Sequence, residues 1–293
     1  MSDNTKIGYA PTDASPMIVA TDGREQSDAA VRAGAVLGGS SDAWSVVTVV
    51  SPLPIVAPEL DLRLAAEAVA AHRETQVDAV RDQVRRILGE RAVRVETLDG
   101  GPADVIARAA ADTNASLIVA GLGRHNIVDR VLGDETVLRL IRSTSTPVLA
   151  VGPVFDIPRA VVVGVDFSET SVRAAQLALR FVSHGATVYL MNVAPREDLL
   201  GMVTGGFAAY EERALATMSE LVTHLEVPGG VHVQPTVRKG DAGSHILEYA
   251  ADTRADMIAI GTRGQGFVAR MLVGSVATKI IRASPIAVLT QPT

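Results

Sequence analysis

Short apolar runs rich in β-branched residues recur along this chain, and each is followed by a stretch whose apolar positions return at the spacing of a helix face. MIVATD at residues 17–22 and VVVGVD at 161–166 are two such runs, and both close on an acid, Asp22 and Asp166. Trp44–Val50 and Val188–Val193 read as second strands, and Arg94–Leu98 and His232–Arg238 as third strands. The helical stretches include Glu169–Val182, Tyr210–Leu225 and Ser244–Asp252, while Glu59–Leu88 reads as one or two helices with a solvated face. Alternation of strand and helix predicts a parallel sheet covered on both faces, because a parallel neighbour is reached only through a crossover long enough to hold a helix.

The two halves of the pattern are copies. Asp22 and Asp166 lie 144 positions apart (166 − 22), and a tighter match follows. ADTNASLIVAGLGR at Ala111–Arg124 aligns without gaps with ADTRADMIAIGTRG at Ala251–Gly264, an offset of 140 (251 − 111). PVLAV at Pro147–Val151 and PIAVL at Pro285–Leu289 read as fifth strands, each opened by a proline that a strand's first position tolerates. Gly152–Arg159, with Pro153 and Pro158, is the natural linker. The expectation is α/β throughout: two tandem domains, 14–152 and 159–293, each a doubly wound, parallel, five-stranded sheet of order 3-2-1-4-5. A length of 293 residues suits two domains of ordinary size.

Candidate chemistry gathers after the fourth strand of the second copy. Gly261-Thr-Arg-Gly264 is followed, nine residues on, by Gly274-Ser275 and the helical run Val276–Arg282, a G-x2-G-x9-G-[ST] spacing. Glycines at 261 and 264 permit a sharp turn and leave no side chain between backbone amides and a ligand. Gly274 and Ser275 open a helix, where unpaired N–H groups and the positive end of the dipole favour a phosphate. Ser275 is placed either to cap that helix or to offer its hydroxyl to the ligand; the plainer alternative makes Gly264, Gly266 and Gly274 turn residues and Ser275 an N-cap. In a 3-2-1-4-5 sheet the winding reverses between strands one and four, where ligands of open parallel sheets bind. Asp166 ends the first of these strands and Gly261 follows the fourth. Asp166 is therefore positioned to hydrogen-bond a ribose or base, to help hold a metal, or to cap the next helix with Ser168.

The first copy departs from this pattern. Gly121 stands for Gly261, but Arg124 replaces Gly264 and Asp134-Glu135 replace Gly274-Ser275; sliding by one restores Gly133 and leaves Asp134 at the hydroxyl's place. An acid then faces the phosphates, with a repulsion of roughly 4 kcal/mol at about 4 Å and an effective dielectric near 20. Arg124, His125 and Arg130 are the cations that would offset it. The first copy is expected to bind ATP weakly or not at all and to serve as a structural partner.

Composition narrows the function classes. A net charge of −6, with no stretch concentrating Lys and Arg, and only 3% aromatic residues argue against a nucleic-acid partner. The absence of cysteine excludes disulfides, thiolate catalysis and cysteine-ligated metals. Residues 1–16 lack the apolar core of a signal peptide and no apolar run reaches membrane-spanning length, so a soluble, cytoplasmic protein with no membrane partner is expected. The histidines at 72, 125, 184, 224, 232 and 245 show no metal-ligand spacing, and neither a Walker A sequence nor a G-x-S-x-G nucleophile elbow is present. His245 lies beside the Gly240–Ala242 turn, as a surface residue or near a ligand.

Asp166-x-Ser168, Gly240-Asp241-Ala242, Asp256-Met-Ile-Ala-Ile-Gly261 and Gly261-x2-Gly264-x9-Gly274-Ser275 together resemble the ATP-binding branch of the universal stress proteins, and the resemblance runs through both copies. It implies an adenine nucleotide alpha hydrolase-like fold in which Asp166, Val193, Ile260, Gly261, Gly264, Gly274, Ser275 and Val276 surround the nucleotide. Val193 enters because in this family adenine is held by backbone groups near the second strand. ATP, with or without magnesium, is the implied cofactor, and a nucleotide-dependent sensor or regulator of the stress response the implied function, with ATP steadying the loop from Arg263 to Val273. The alternatives are a nucleotide-independent scaffold or chaperone-like protein and a slow ATPase; no catalytic residues are evident. The resemblance further implies that the two fifth strands pair within the chain across a pseudo-twofold axis, mimicking the dimer of single-module relatives, and it leaves a homodimer of whole chains open.

Overall fold

The computed structural model describes residues 8–39, 42–51, 62–122, 127–195, 206–263 and 273–293, with the side chains of 62–65 and 127–134 outside that description. The chain divides into two compact units. One comprises Pro11–Thr146 with Val151–Pro153; the other comprises Val154–Thr293 with the N-terminal segment through Ala10 and Pro147–Ala150.

The N-terminal unit runs β1 (Met17–Ala20), a 3-10 turn (Glu25–Ser27), α1 (Asp28–Gly38), β2 (Trp44–Val50), α2 (Leu62–Leu88), β3 (Arg94–Asp99), α3 (Pro102–Asp112), β4 (Leu117–Gly121) and α4 (Ile127–Ser143). The segment expected as one or two helices is the single 27-residue α2. Its strands pair in parallel in the order β3-β2-β1-β4.

Then follow β5 (Val148–Val151), β6 (Ala160–Gly164), α5 (Glu169–Phe181), β7 (Thr187–Ala194), α6 (Gly206–His224), β8 (His232–Lys239), α7 (Ala242–Asp252), β9 (Met257–Gly261), α8 (Ser275–Ala283) and β10 (Ala287–Gln291). The parallel order β8-β7-β6-β9-β10 is the expected 3-2-1-4-5 winding. Within this unit β5, the first copy's fifth strand, lies antiparallel on β10, with Val148 opposite Thr290 and Ala150 opposite Val288. Thr290 Oγ1 donates to the Val148 carbonyl at 3.1 Å. The edge of β10 is thus paired rather than left as a template for another chain.

Strands covered on both faces lose the polar alternation of half-buried ones. Val161, Val162, Val163, Met257, Ile258, Ala259, Val288 and Leu289 are all fully buried, as are Met17, Val19, Leu117, Ile118 and Val119 in the other unit. Structure also explains the gapless sequence match. Asn114 and Arg254, 140 apart (254 − 114), both have φ of 51°. At each, the same pair of bonds closes the preceding helix: Asn114 N–H to Ala111 and Ala115 N–H to Ala110, Arg254 N–H to Ala251 and Ala255 N–H to Ala250. This is a Schellman ending, and its fixed length forbids insertion.

The last strand begins later than its sequence suggests. Ser284 Oγ accepts from the Ile286 N–H at 3.3 Å and donates to the Ile286 carbonyl at 2.9 Å, which holds Pro285-Ile286 in a turn. β10 therefore covers Ala287–Gln291 rather than Pro285–Leu289. The N-terminal segment joins the C-terminal unit: Tyr9 stacks on Phe181 with ring centroids 4.6 Å apart, and its N–H donates to the Arg180 carbonyl at 2.7 Å.

One carboxylate in each unit carries a pH-sensitive part of the stability. Asp28 accepts two bonds from Arg86, at 2.6 and 2.8 Å, and one from Gln83 at 2.8 Å, which hold its pKa below the ordinary value despite its burial. Asp241 caps α7 by accepting the Ser244 N–H and binds Lys279 Nζ at 2.5 Å, and these bonds lower its pKa strongly. A depressed folded pKa stabilises above the unfolded value, about 3.9 for aspartate, and the gain is lost as pH falls through the folded value. The thermal midpoint is therefore expected to be flat from neutrality to about pH 5 and to fall steadily below about pH 4. Asp28→Asn should flatten that slope in an acid titration followed by circular dichroism; an unchanged slope would remove Asp28 from the account.

Candidate functional site

Beyond the carboxyl ends of β6 and β9 the C-terminal unit opens a cleft of about 790 Å³. Asp166, Val193, Ile260, Gly261, Gly274, Ser275 and Val276 all line it, so seven residues singled out from sequence converge there. Gly264 lies outside the described residues.

Its floor comes from strand ends. Val165, Met191 and Ile260 are buried beneath it. In a parallel ladder alternate residues bond to opposite neighbours. The Met191 carbonyl accepts the Val165 N–H at 2.8 Å, so Val193, two residues on, directs its carbonyl to the same side, past the end of β6. No hydrogen bond to that carbonyl is made among the described residues.

One wall is the start of α8. Its N-cap is Gly274, with φ −60° and ψ 155°, and no side chain caps it; Ser275 is the first helical residue and not the cap. The Gly274 N–H is already used, donating to the Thr262 carbonyl at 2.9 Å. Helix geometry leaves the N–H groups of Ser275, Val276 and Ala277 without intrahelical acceptors, while Thr278 bonds back to Gly274. The open donors thus begin one residue later than Gly274.

The role of Gly261 also differs from its expected one. It does not take a left-handed φ. A Cβ there would stand 2.6 Å from Thr170 Oγ1, 2.8 Å from Ser171 N and 2.9 Å from Thr170 C, so the first turn of α5 excludes any side chain. That close approach ties the two halves of the cleft together: Thr170 Oγ1 and Ser168 Oγ donate to the Arg263 carbonyl at 2.7 and 3.2 Å.

Asp166 is exposed at the cleft's mouth, and its Oδ1 accepts the Ser168 N–H at 3.0 Å and the Ser168 hydroxyl at 2.5 Å. Ser168, not Asp166, caps α5. His245 does not line the cleft; its Nε2 meets the Lys239 carbonyl at 2.9 Å and closes the Gly240 turn.

Of the lining residues that escaped the sequence reading, four shape the cleft through an unusual backbone, a hydrogen bond or a charge. Phe167 has φ 63°, a left-handed conformation that costs a non-glycine residue about 1–2 kcal/mol. Its counterpart 144 positions earlier is Gly23, φ 79°, so the alignment of a glycine with a phenylalanine was the available signal. Asn192 and Tyr210 form a relay: Tyr210 OH donates to Asn192 Oδ1 at 2.9 Å, and Asn192 Nδ2 donates to the Val165 carbonyl at 2.8 Å. Burial pushes the Tyr210 pKa up. Arg213, from the same helix face, adds a cation at the rim. Residues three and four apart on one helix announced none of this, because the face of α6 that turns to the cleft is fixed only by packing.

The corresponding crevice of the N-terminal unit measures about 220 Å³. Asp22, Gly121 and Thr136 line it. Here α4 already begins at Ile127 and runs through residues 134 and 135, the counterparts of Gly274 and Ser275. Amides that are open in α8 lie inside this helix, bonded to carbonyls four residues back. Glu135 faces Arg139 and Arg142, at 3.5 and 3.7 Å. Arg124 and His125 lie outside the described residues, as do the side chains of Arg130 and Asp134. Among the described residues no cluster of acids and histidines has the arrangement of a metal site, and no helix is long and apolar enough to cross a membrane.

Comparison with known proteins places this geometry. A universal stress protein of Methanocaldococcus jannaschii is 27% identical over 141 residues, covering 46% of this chain and 83% of that protein. A universal stress protein of Thermus aquaticus is 28% identical over 135 residues, covering 45% of this chain and 96% of that protein. The crystal structure of a universal stress protein from Archaeoglobus fulgidus shares the fold, with a TM-score of 0.67 and 21% identity over 96% of this chain and 97% of that one. The model of the universal stress protein family matches twice, at residues 15–152 and 158–291. The chain therefore belongs to the universal stress protein family and carries the family's domain twice in tandem.

Proposed function

We propose that the C-terminal unit binds one ATP, with or without magnesium, and that the chain acts as a nucleotide-dependent regulator in the stress response. One observation carries the reading: a single cleft offers two open backbone surfaces suited to the two ends of a nucleotide. The N–H groups of Ser275, Val276 and Ala277, without intrahelical acceptors and without a side-chain cap among the described residues, suit a polyanion. At the other end, the Val193 carbonyl suits the exocyclic amine of a base. Asp166 lies between them at the mouth, where it meets the ribose hydroxyls. Gly261 and Ile260 form the floor, and Gly264 enters through the spacing of its motif.

Binding rather than turnover is the reading for chemistry. Among the described lining residues Asp166 is the one carboxylate, and its Oδ1 is engaged by Ser168. General-base catalysis requires a group within hydrogen-bond reach of the attacking water. Domains 14–152 and 159–293 then divide the work, the first as structural partner and the second as nucleotide site.

Titration calorimetry of the full chain is expected to give one ATP per chain, and mass spectrometry of small molecules released from freshly purified protein to identify an adenine nucleotide. Heats indistinguishable from buffer, with no nucleotide released, would refute the proposal.

A further inference from the structure

In the crevice of the N-terminal unit the carbonyl of Val49 is engaged by a side chain of the unit itself. Thr48 and Asn192 stand 144 apart (192 − 48), the offset that relates Asp22 to Asp166, so Val49 is the counterpart of Val193. In the C-terminal unit Tyr210 reaches from α6 to Asn192 and leaves the Val193 carbonyl without a partner among the described residues. In the N-terminal unit Gln76 reaches from α2 to the same place. Its Nε2 approaches Thr48 Oγ1 at 3.3 Å and donates to the Val49 carbonyl at 2.9 Å. A primary amide nitrogen is the chemical counterpart of a base's exocyclic amine, with two N–H donors in a plane.

Seven residues along the same helix face, Gln83 is 1% exposed and every one of its polar atoms is engaged. Nε2 has three acceptors within reach of its two N–H groups, the Arg24 carbonyl at 2.8 Å, Ser27 Oγ at 3.0 Å and Asp28 Oδ1 at 2.8 Å, while Oε1 accepts from Thr21 Oγ1 at 2.6 Å. Thr217 holds the equivalent step on α6, seven after Tyr210, and lines the open cleft. Gln83 thus locks the loop after β1 in place with bonds that span residues 21 to 28.

We infer that Gln76 and Gln83 act as built-in ligand surrogates, Gln76 standing in for the base amine on the Val49 carbonyl and Gln83 clamping the loop behind it. The N-terminal unit is therefore held with the base-amine position on the Val49 carbonyl occupied and the loop after β1 fixed, and an adenine site lies latent there. The inference rests on reading the C-terminal cleft as an adenine site. Its consequence is regulatory, since one domain responds to nucleotide and the other supplies a constant, nucleotide-independent partner.

Adenosine is the probe, because it lacks phosphates and so needs no open helix terminus. Equilibrium dialysis of the full chain is expected to give one adenosine per wild-type chain and two for Gln76→Ala/Gln83→Ala. A reciprocal change installs the surrogate in the other domain. Tyr210→Gln should bind ATP at least tenfold more weakly than Tyr210→Met, since both lose the ring and only the first brings an amide to the Val193 carbonyl. If the double variant does not fold, the comparison at 210 decides. Wild-type chains that bind neither adenosine nor ATP would remove the parent reading itself. Wild-type binding of one equivalent, with no second site in the folded double variant and equal affinities for the two variants at 210, would overturn this inference alone.

Discussion

Gly274→Asp is expected to weaken ATP binding about a thousandfold while leaving the C-terminal unit folded. A carboxylate about 4 Å from a phosphate repels it by roughly 4 kcal/mol at an effective dielectric near 20, and each 1.4 kcal/mol is a factor of ten in affinity. A second effect has the same sign. Position 274 is the N-cap of α8 at φ −60° and ψ 155°, a conformation any L-residue adopts and one in which Asp accepts an N–H from the helix's first turn. The new side chain would take an amide from the ligand and stabilise the helix by about 1 kcal/mol. Among the described residues a Cβ at 274 would meet the Thr262 carbonyl oxygen at 3.3 Å, a tight contact relieved by a shift of a few tenths of an ångström. The pattern to look for is therefore lost ATP heat in calorimetry together with an unchanged or raised thermal midpoint. Retained affinity would show that phosphates do not sit at this terminus.

Gly261→Ala should do the opposite and cost stability first. The added methyl would lie 2.8 and 2.9 Å from backbone atoms of Ser171 and Thr170, which cannot swing aside as a side-chain tip can. Forcing one carbon into a packed site costs about 1–3 kcal/mol, and the upper end applies because both sides of this contact are secondary structure. For a domain of this size that corresponds to a fall of roughly 5–10 °C in thermal midpoint. Gly121→Ala is the internal comparison. Its Cβ would meet Gln26 O at 3.2 Å and Ser27 Cα at 3.4 Å, in a less regular turn, so a loss below about 1 kcal/mol is expected. Equal losses at the two positions, measured by urea denaturation, would show that the short contacts with α5 do not govern Gly261.

The same two glycines show how far residue patterns reach. Gly261 and Gly121 align in the gapless repeat, and sequence reasoning assigned Gly261 to backbone turning and ligand approach. Its neighbours in space, Thr170 and Ser171, are about ninety positions away in the chain, and nothing in a local window reports how closely a strand end meets a helix start. Ser275 teaches the same lesson: G-S before a helix reads as a serine cap, but the turn held by Gly274 N–H to the Thr262 carbonyl moves the cap back by one residue. To the charge argument for the first copy the structure adds a geometric one. Residues 134 and 135 lie inside a helix that has already begun.

What the sequence determined by itself was the duplication, the succession of strands and helices, the parallel winding of the second copy and the residues that meet at its switch point. Those follow from periodicity and from backbone rules that act over a few residues, so a linear reading suffices. Only the tertiary structure decided which groups at that switch point remain open. Whether a carbonyl is covered, as at Val49, or without a partner among the described residues, as at Val193, depends on a side chain brought in by a helix some twenty-seven positions away in one copy and seventeen in the other, counted from Val49 to Gln76 and from Val193 to Tyr210. Hydrogen bonds between such partners are satisfied in three dimensions, and no spacing along the chain encodes their geometry.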